Sequence, residues 1–244
     1  MVAQPQTNTA EIIYPDSDGQ PMADNTKQFR WIVTIKENLE ILFADQPDVF
    51  VAGDLLWYPV QGNNRLRQAP DAMVVFGRPK GDRGSYQQWK ENNISPQVVF
   101  EILSPGNTPK EMKRKLAFYI RHGVEEYYEY DPDNNTLVGS HLINGTFTEI
   151  PNVQGWVSPR LNIRFELSDT DLTIYRPDGD PFLTPVELAQ ERDQARQQAE
   201  EEHQRAENER QRAENERQRA EEERQRSDRL AARLRELGID PEDI

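Results

Sequence analysis

The sequence predicts an α/β protein in which helices flank a mixed β-sheet, followed by a long charged C-terminal helix. Residues 26–176 show the order helix, strands, helix, strands, which is typical of a mixed sheet with helices on its faces. Residues 186–238 carry a seven-residue repeat rich in Arg and Glu. Polar, turn-rich residues 1–25 indicate a loose N-terminal arm. Residues 177–185 are expected to be a linker, and residues 239–244 the C-terminal end.

The first helix is indicated by apolar residues at helical spacing, namely Ile32, Ile35, Leu39 and Leu42. Asp45–Pro47 should end it. Two strand-like runs follow, Val49–Val60 and Arg65–Phe76. After a polar loop comes the apolar run at 98–103, whose Pro and Gly flanks indicate a strand covered on both faces.

A second helix is predicted to begin at Thr108, because Thr108-Pro109-Lys110-Glu111 forms a capping box with proline at the first helical position. Gly123 should end this helix. Residues 124–130 and 136–143 flank the turn sequence DPDNN, which indicates a hairpin. Its aspartates are interpreted as turn formers, since the twelve-residue spacing of a calcium loop is missing. Further short strands are expected at 162–167 and 172–176.

The C-terminal repeat reads QRAENER at Gln204 and again at Gln211. A seven-residue period favours a coiled coil, but one heptad position is alanine and its partner position is glutamate, which gives little burial. Pairs such as Glu207–Arg210 and Glu209–Arg212 instead favour a solvated single helix. Leucine occurs only near the tip, at Leu230, Leu234 and Leu237, before the capping Gly238. A weak coiled coil, with self-association or a protein partner, remains the alternative.

Charge and composition restrict the function. The net charge is −14, with −6 in residues 186–244 and −8 in the rest, so a protein-wide basic surface for nucleic acid is absent. There is no cysteine, which excludes disulfides, thiolate zinc sites and cysteine nucleophiles. With three histidines (His122, His141 and His203), any metal ligands are expected to be oxygens. The chain shows neither a signal peptide nor a membrane-spanning run, so a cytoplasmic protein without membrane contact is expected.

Two acids stand in apolar strands. Glu101 lies at the centre of the run VVFEIL, where a carboxylate must be protonated, paired with a cation or bound to a metal. Asp71 follows Pro70 at the start of another apolar strand. If the two converge, they suit a hard divalent cation, Mg²⁺ or Mn²⁺. A plain ion pair, or a Glu101 that faces water, is the alternative.

A lysine near such a site would stabilise developing charge, and the second helix offers Lys113 and Lys115. They flank opposite edges of the apolar stripe that includes Met112 and Tyr119. Periodicity does not choose between the two lysines.

The segments APDAMVV, VVFEILSPGNT and RKLAFYIRHGVEEYYEYDP together resemble the Uma-type putative restriction endonucleases of the PD-(D/E)xK nuclease superfamily. The resemblance covers about residues 25–175. It implies a restriction-endonuclease-like mixed sheet, with the acidic pair at Asp71 and Glu101. The superfamily's usual lysine position is Leu103 here; the Uma-type pattern takes its lysine from the next helix, at Lys115, with Tyr119 after it.

The resemblance implies a Mg²⁺- or Mn²⁺-dependent endonuclease that hydrolyses DNA through a metal-activated water, with Asp71 and Glu101 as metal ligands and Lys115 as a catalytic cation. DNA would be its partner, bound weakly because the protein is acidic. The alternative is a catalytically silent, nuclease-like scaffold whose helical tail recruits a partner. The basic, aromatic loop Gly77–Asn93 is a candidate contact for a nucleic-acid strand, or a solvated insertion.

Overall fold

The computed structural model of the protein describes residues 12–17, 19 and 23–236. Its helices are α1 (Thr26–Leu42), α2 (Pro109–Arg121) and α3 (Pro185–Glu236). Its strands are β1 (Val49–Ala52), β2 (Trp57–Tyr58), β3 (Ala72–Phe76), β4 (Tyr86–Gln87), β5 (Val98–Ile102), β6 (Glu126–Asp131), β7 (Thr136–Ile143), β8 (Thr146–Glu149), β9 (Arg164–Leu167) and β10 (Leu172–Tyr175).

Six strands form the central sheet in the order β1-β3-β5-β6-β7-β8. The β5–β6 pair is parallel and the other neighbours are antiparallel. Helix α2 makes the crossover from β5 to β6, as a parallel connection requires. Smaller sheets are formed by β2 with β4 and by β9 with β10. The mixed sheet with flanking helices and a long C-terminal helix confirms the predicted fold class.

The two faces of the sheet are covered by different elements. Helix α1 and the β9–β10 ribbon pack on one face, and α2 with the β2–β4 pair packs on the other. Strand β5 alternates between them: Phe100 and Ile102 belong to the α1 side, and Val99 belongs to the α2 side. Since neighbouring strand residues point to opposite faces, Glu101 lies on the α2 side.

The two long strands predicted near the N-terminus are shorter in the structure. The run Val49–Val60 breaks after β1, where Asp54 takes a positive φ of 48°, and resumes as β2 in another sheet. In the run Arg65–Phe76 only β3 joins the central sheet. Pro70 lacks the N–H that a central strand donates. Strands β4 and β8 were not predicted.

Local signals for α2 and the hairpin are confirmed. Thr108 Oγ1 accepts a hydrogen bond from the Glu111 N–H at 3.2 Å, and Gly123 follows the helix with φ +94°. Strands β6 and β7 pair across the DPDNN turn. There the Asp131 carboxylate accepts from the Asp133 and Asn134 amides at 2.9 and 3.1 Å, as expected of a turn former.

Residues 12–17 contact the body of the protein. The Tyr14 ring lies 5.2 Å from the Tyr58 ring and 4.8 Å from the Trp89 ring, centroid to centroid. The Tyr58 hydroxyl donates to the Pro15 carbonyl at 2.7 Å. The expectation of a loose arm is therefore wrong for these residues, because aromatic packing holds them. Most of residues 1–25 lie outside the described part of the chain.

The loop Gly77–Asn93 is stabilised by its own ion pairs. The Glu91 carboxylate accepts from Arg78 at 2.7 Å and from Arg83 at 2.8 Å, and Trp89 packs on Tyr14. Two of the cations that made this loop a candidate nucleic-acid contact are thus already bound to one carboxylate. The geometry favours the alternative, an insertion rather than a nucleic-acid contact.

Helix α3 spans 52 residues, and none of its described side chains is buried. Chain contacts divide the protein into two units between Val186 and Glu187. In the described part of α3, the expected pairs Glu207–Arg210 and Glu209–Arg212 are not within ion-pair distance, while Arg233 and Glu236 pair at 2.6 Å. Exposed pairs gain little by closing. Leu237 and Gly238 lie outside the described residues, and the coiled coil stays a prediction.

No helix in residues 23–236 combines the length and the apolar character that crossing a membrane requires.

Another buried acid, Glu126 at the start of β6, fixes the turn before β9. Its carboxylate accepts from the Ser158 hydroxyl at 2.5 Å, the Tyr128 hydroxyl at 2.9 Å and the Arg160 amide at 2.7 Å. Burial raises the pKa of Glu126, and these three donors oppose the rise. A carboxylate that accepts from three donors stabilises the fold, because each donor would be unsatisfied without it.

Replacing Glu126 should therefore destabilise the fold. We expect Glu126→Ala to lower the free energy of unfolding by about 3 kcal/mol, since three buried donors lose their acceptor. Glu125→Ala is the control: its carboxylate pairs with Arg160 at the surface at 2.6 Å and should contribute less than about 1 kcal/mol. Urea denaturation of both variants measures this. Equal losses of unfolding free energy in the two variants would contradict this role of Glu126.

Candidate active site

The register between β3 and β5 brings the two predicted acids together. Ala72 pairs with Phe100, so one step further along the two antiparallel strands Asp71 stands opposite Glu101, on the same face. The Ile102 N–H donates to Asp71 Oδ2 at 2.6 Å, which fixes the Asp71 side chain against β5. Asp71 is 8% exposed and Glu101 is 1% exposed.

Helix α2 supplies the groups that bind Glu101. Lys115 Nζ lies 2.8 Å from Glu101 Oε2, and the Tyr119 hydroxyl donates to Glu101 Oε1. These residues are four apart, so they share one face of the helix. Lys113 instead lines a second cavity, together with Leu103. Lys115 thus contacts Glu101 and Lys113 does not, a distinction that periodicity did not make. The contact between Lys115 and Glu101 is the ion pair that was one alternative for Glu101.

Burial and proximity shift the titration of these groups. Burial raises the pKa of Asp71 well above its usual value, and the neighbouring Glu101 raises it further. Burial also raises the pKa of Glu101, although Lys115 and Tyr119 oppose this. For Lys115, burial lowers the pKa, but the attraction of Glu101 outweighs it and the pKa is raised. The site therefore holds a charged lysine beside two acids that resist ionisation.

Gln28 on α1 is a site residue that the sequence did not reveal. It is 6% exposed; its Nε2 donates to the Ile102 carbonyl at 2.7 Å, and its Oε1 accepts from the Asp24 N–H at 2.8 Å. Strand β3 begins only at Ala72, so no residue of β3 pairs with Ile102. The Asp71 side chain binds the Ile102 N–H instead, and the Gln28 side chain binds the Ile102 carbonyl. The only local signal for Gln28 is its place three residues after the capping Asn25.

A cavity of about 460 Å³ opens beside Asp71. It is lined by α1 and the segment before it, by the β1–β3 connections, by the turn after β5 and by α2. The lining residues are Ala23, Asp24, Gln28, Asp54, Leu56, Arg65, Arg67, Gln68, Ala69, Asp71, Gly106, Asn107, Glu111, Arg114 and Lys115. Lys115 thus faces both the buried Glu101 and the cavity. Its side chain is 17% exposed.

The donors near Asp71 and Glu101 decide whether a divalent cation could be held there. In the described residues, no group of three or more His, Asp or Glu side chains is arranged to hold a metal ion. Asp71 Oδ1 has no hydrogen-bond partner among these residues, whereas Glu101 Oε2 is bound by Lys115. Two carboxylates fit Mg²⁺, which keeps several waters, provided that Lys115 releases Oε2.

Residues 12–174 match the model of the Uma2 family, described as "Putative restriction endonuclease". The match covers well over half of the chain. The chain belongs to the Uma2 family. Asp71, Glu101 and Lys115 all lie within the matched residues, and α3 lies outside them. Membership places this Uma2 chain among putative nucleases and confirms the resemblance seen in the three motifs.

Among solved structures, the chain is similar to a putative nuclease belonging to DUF820 from Anabaena variabilis ATCC 29413. The two share 14% sequence identity, with 55% of this chain and 72% of that chain covered and a TM-score of 0.42. No curated protein matches the sequence.

The raised pKa of Asp71 gives a pH-dependent expectation. Its folded-state pKa exceeds the unfolded value, so the stability it contributes is present at low pH and lost as the pH rises through the folded pKa. Asp71→Asn removes this loss. We expect the variant to melt a few degrees above the wild type at pH 8 and close to it at pH 4.

Calorimetry across this pH range, without metal, measures the difference. The matched control is Asp169→Asn, at an exposed aspartate, which should show no such pH-dependent gain. A wild type that is more stable than Asp71→Asn at pH 8 would contradict the electrostatic argument.

Proposed function

We propose that this Uma2 protein is a divalent-metal-dependent endonuclease that hydrolyses DNA phosphodiester bonds. One observation carries the proposal: Asp71 and Glu101 stand opposite each other on one face of the sheet, and Asp71 lines a cavity together with Lys115, which lies 2.8 Å from Glu101. Two neighbouring acids and a lysine are groups that metal-assisted phosphodiester hydrolysis uses. The family's description as putative restriction endonucleases supports the same chemistry.

Asp71 Oδ1 and Glu101 Oε2 are the oxygens that would hold Mg²⁺ or Mn²⁺. Such an ion lowers the pKa of a bound water and neutralises charge on a phosphoryl group. The chain prepares these oxygens in advance: the Ile102 N–H fixes Asp71, and the Tyr119 hydroxyl fixes the other oxygen of Glu101. Asp71 therefore keeps one oxygen for the ion, and Glu101 would offer Oε2 once Lys115 releases it.

Lys115 is proposed to have two successive roles. Without the ion, its ammonium group neutralises the buried Glu101. When Glu101 Oε2 is engaged elsewhere, the same ammonium group is free to face the cavity, where it would stabilise the charge that develops on the scissile phosphate. Its long, flexible stem suits this change of partner.

A second candidate is a catalytically silent nuclease-like scaffold. It is favoured by the complete ion pair at Glu101, which satisfies the carboxylate without a metal, and by the net charge of −14. In that case the exposed α3 would recruit a protein partner or a second copy of the chain. The two candidates differ in metal binding and cleavage.

Divalent ions should raise the melting temperature, because they bind the folded site and not the unfolded chain. We expect Mg²⁺ or Mn²⁺ to raise it more in Lys115→Met than in the wild type, each relative to its own metal-free value, since the competing cation is gone. Lys113→Met, which changes a lysine of the second cavity, should respond like the wild type.

Thermal denaturation with and without the ions measures these shifts. The double variant Asp71→Asn, Glu101→Gln should lose the response. If that variant is stabilised as much as the wild type, the ion binds elsewhere and the proposed site is wrong.

Cleavage of DNA should require the lysine as well as the ion. We expect Lys115→Ala to reduce the rate on the order of 10²-fold, the typical effect of removing one electrostatic contact to a transition state. Lys113→Ala should leave the rate unchanged. The assay follows nicking of plasmid and cutting of single-stranded DNA at low salt with Mn²⁺.

Two results of this assay would change the conclusion. Equal rates for the wild type and Lys115→Ala would remove the role of Lys115. A wild type that cleaves neither substrate with Mn²⁺ would favour the silent scaffold.

A further inference from the structure

Three arginines line the cavity beside the two acids. Arg65 and Arg67 come from the connection between β2 and β3, and Arg114 comes from α2, next to Lys115. Arg65 and Arg114 are exposed and Arg67 is half-buried. The cavity thus has guanidinium groups on two walls that belong to different elements.

The segment that carries Arg65 and Arg67 is held at both ends. At its start, Asn63 Oδ1 accepts from the Arg65 N–H at 3.1 Å. At its end, the Gln68 backbone exchanges two hydrogen bonds with Trp57, at 2.7 and 3.2 Å. Trp57 is fully buried, so this end is anchored in the core. The segment is therefore positioned before any ligand arrives, which reduces the entropy lost on binding.

The three guanidinium groups keep most of their donors. In residues 23–236, none of the three forms an ion pair with an acid, and the one side-chain hydrogen bond among them joins Arg67 Nη1 to the Asn64 carbonyl at 3.2 Å. By contrast, Arg78, Arg83 and several other cations of the domain are paired with acids. A guanidinium group has five donors in a fork that matches phosphate oxygens.

Acidic side chains line the same cavity, which restricts what can bind there. Besides Asp71 they are Asp24, Asp54 and Glu111; Asp24 accepts a hydrogen bond from the Ser104 hydroxyl. The cavity is thus of mixed charge and would not collect anions through its mean potential. Only an anion in direct contact with the guanidinium groups would be bound more tightly because of them.

We propose that Arg65, Arg67 and Arg114 bind the phosphates that flank the scissile one, so that a DNA strand is held across the cavity between the β2–β3 connection and α2. This inference rests on the proposed function and adds the residues that hold the substrate. It also accounts for how an acidic protein binds a polyanion: the contact is local and uses arginines that form no ion pair within residues 23–236. Charge-assisted, bidentate contacts of this kind fix the strand without reading its sequence.

The test measures binding of a short fluorescent DNA oligonucleotide, single-stranded and duplex, as a function of salt with Mn²⁺ present. Conditions are chosen under which a gel shows the DNA to be intact. The variants are Arg65→Gln, Arg67→Gln and Arg114→Gln. The matched control is Arg121→Gln, which removes the same charge from an exposed position in the last turn of α2. Melting with and without Mn²⁺ checks that the metal response is retained.

Each of the three variants should bind the DNA several-fold more weakly and lower the salt slope by about one, as expected when one phosphate contact is lost. Arg121→Gln should bind like the wild type, and all four should keep the metal response. Binding equal to the control in all three variants, or no binding by the wild type, would overturn the proposal. Weakened binding in a protein that never cleaves would support the arginine contacts and refute the endonuclease.

Discussion

The burial of Glu101 in the middle of the central sheet is the constraint on which the site depends. A carboxylate at this depth has lost its water, and it needs donors and a positive charge in compensation. Helix α2 meets that need with Lys115 and Tyr119 on one face. To bring both to Glu101, α2 must pack on one particular face of β5, and this fixes the crossover to β6. One buried charge thus orients the helix that borders the cavity.

The same constraint also affects the ionisation of the two acids. Burial disfavours the ionised form of both acids, and the neighbouring Glu101 adds to this for Asp71. Lys115 relieves the conflict for Glu101 but leaves Asp71 with one oxygen bound by Ile102 and the other toward the cavity. A structure optimised for stability alone would replace such a pair with apolar side chains. Retaining it is consistent with sites in which stability is given up for function.

Much of the fold was predictable because its signals are local. The capping box at Thr108, the DPDNN hairpin and the apolar stripe of α2 each depend on neighbouring residues. A glutamate in an apolar strand is an anomaly that also pointed to the candidate site. The choice between Lys113 and Lys115 depends on how α2 is rotated against the sheet, which periodicity does not determine. Gln28 was missed because its partner, the Ile102 carbonyl, lies 74 residues away and leaves no pattern in the sequence.

The spacing of the contacts to Glu101 has a consequence for how the chain folds. Lys115 and Tyr119 are 14 and 18 residues from Glu101, whereas Asp71 reaches Ile102 over 31 residues. Short loops close with less loss of entropy than long ones. The segment from β5 through α2 can therefore neutralise its own glutamate before β3 adds a second acid to the same face. A nascent sheet that assembled in the reverse order would have to dehydrate two carboxylates with no cation beside them.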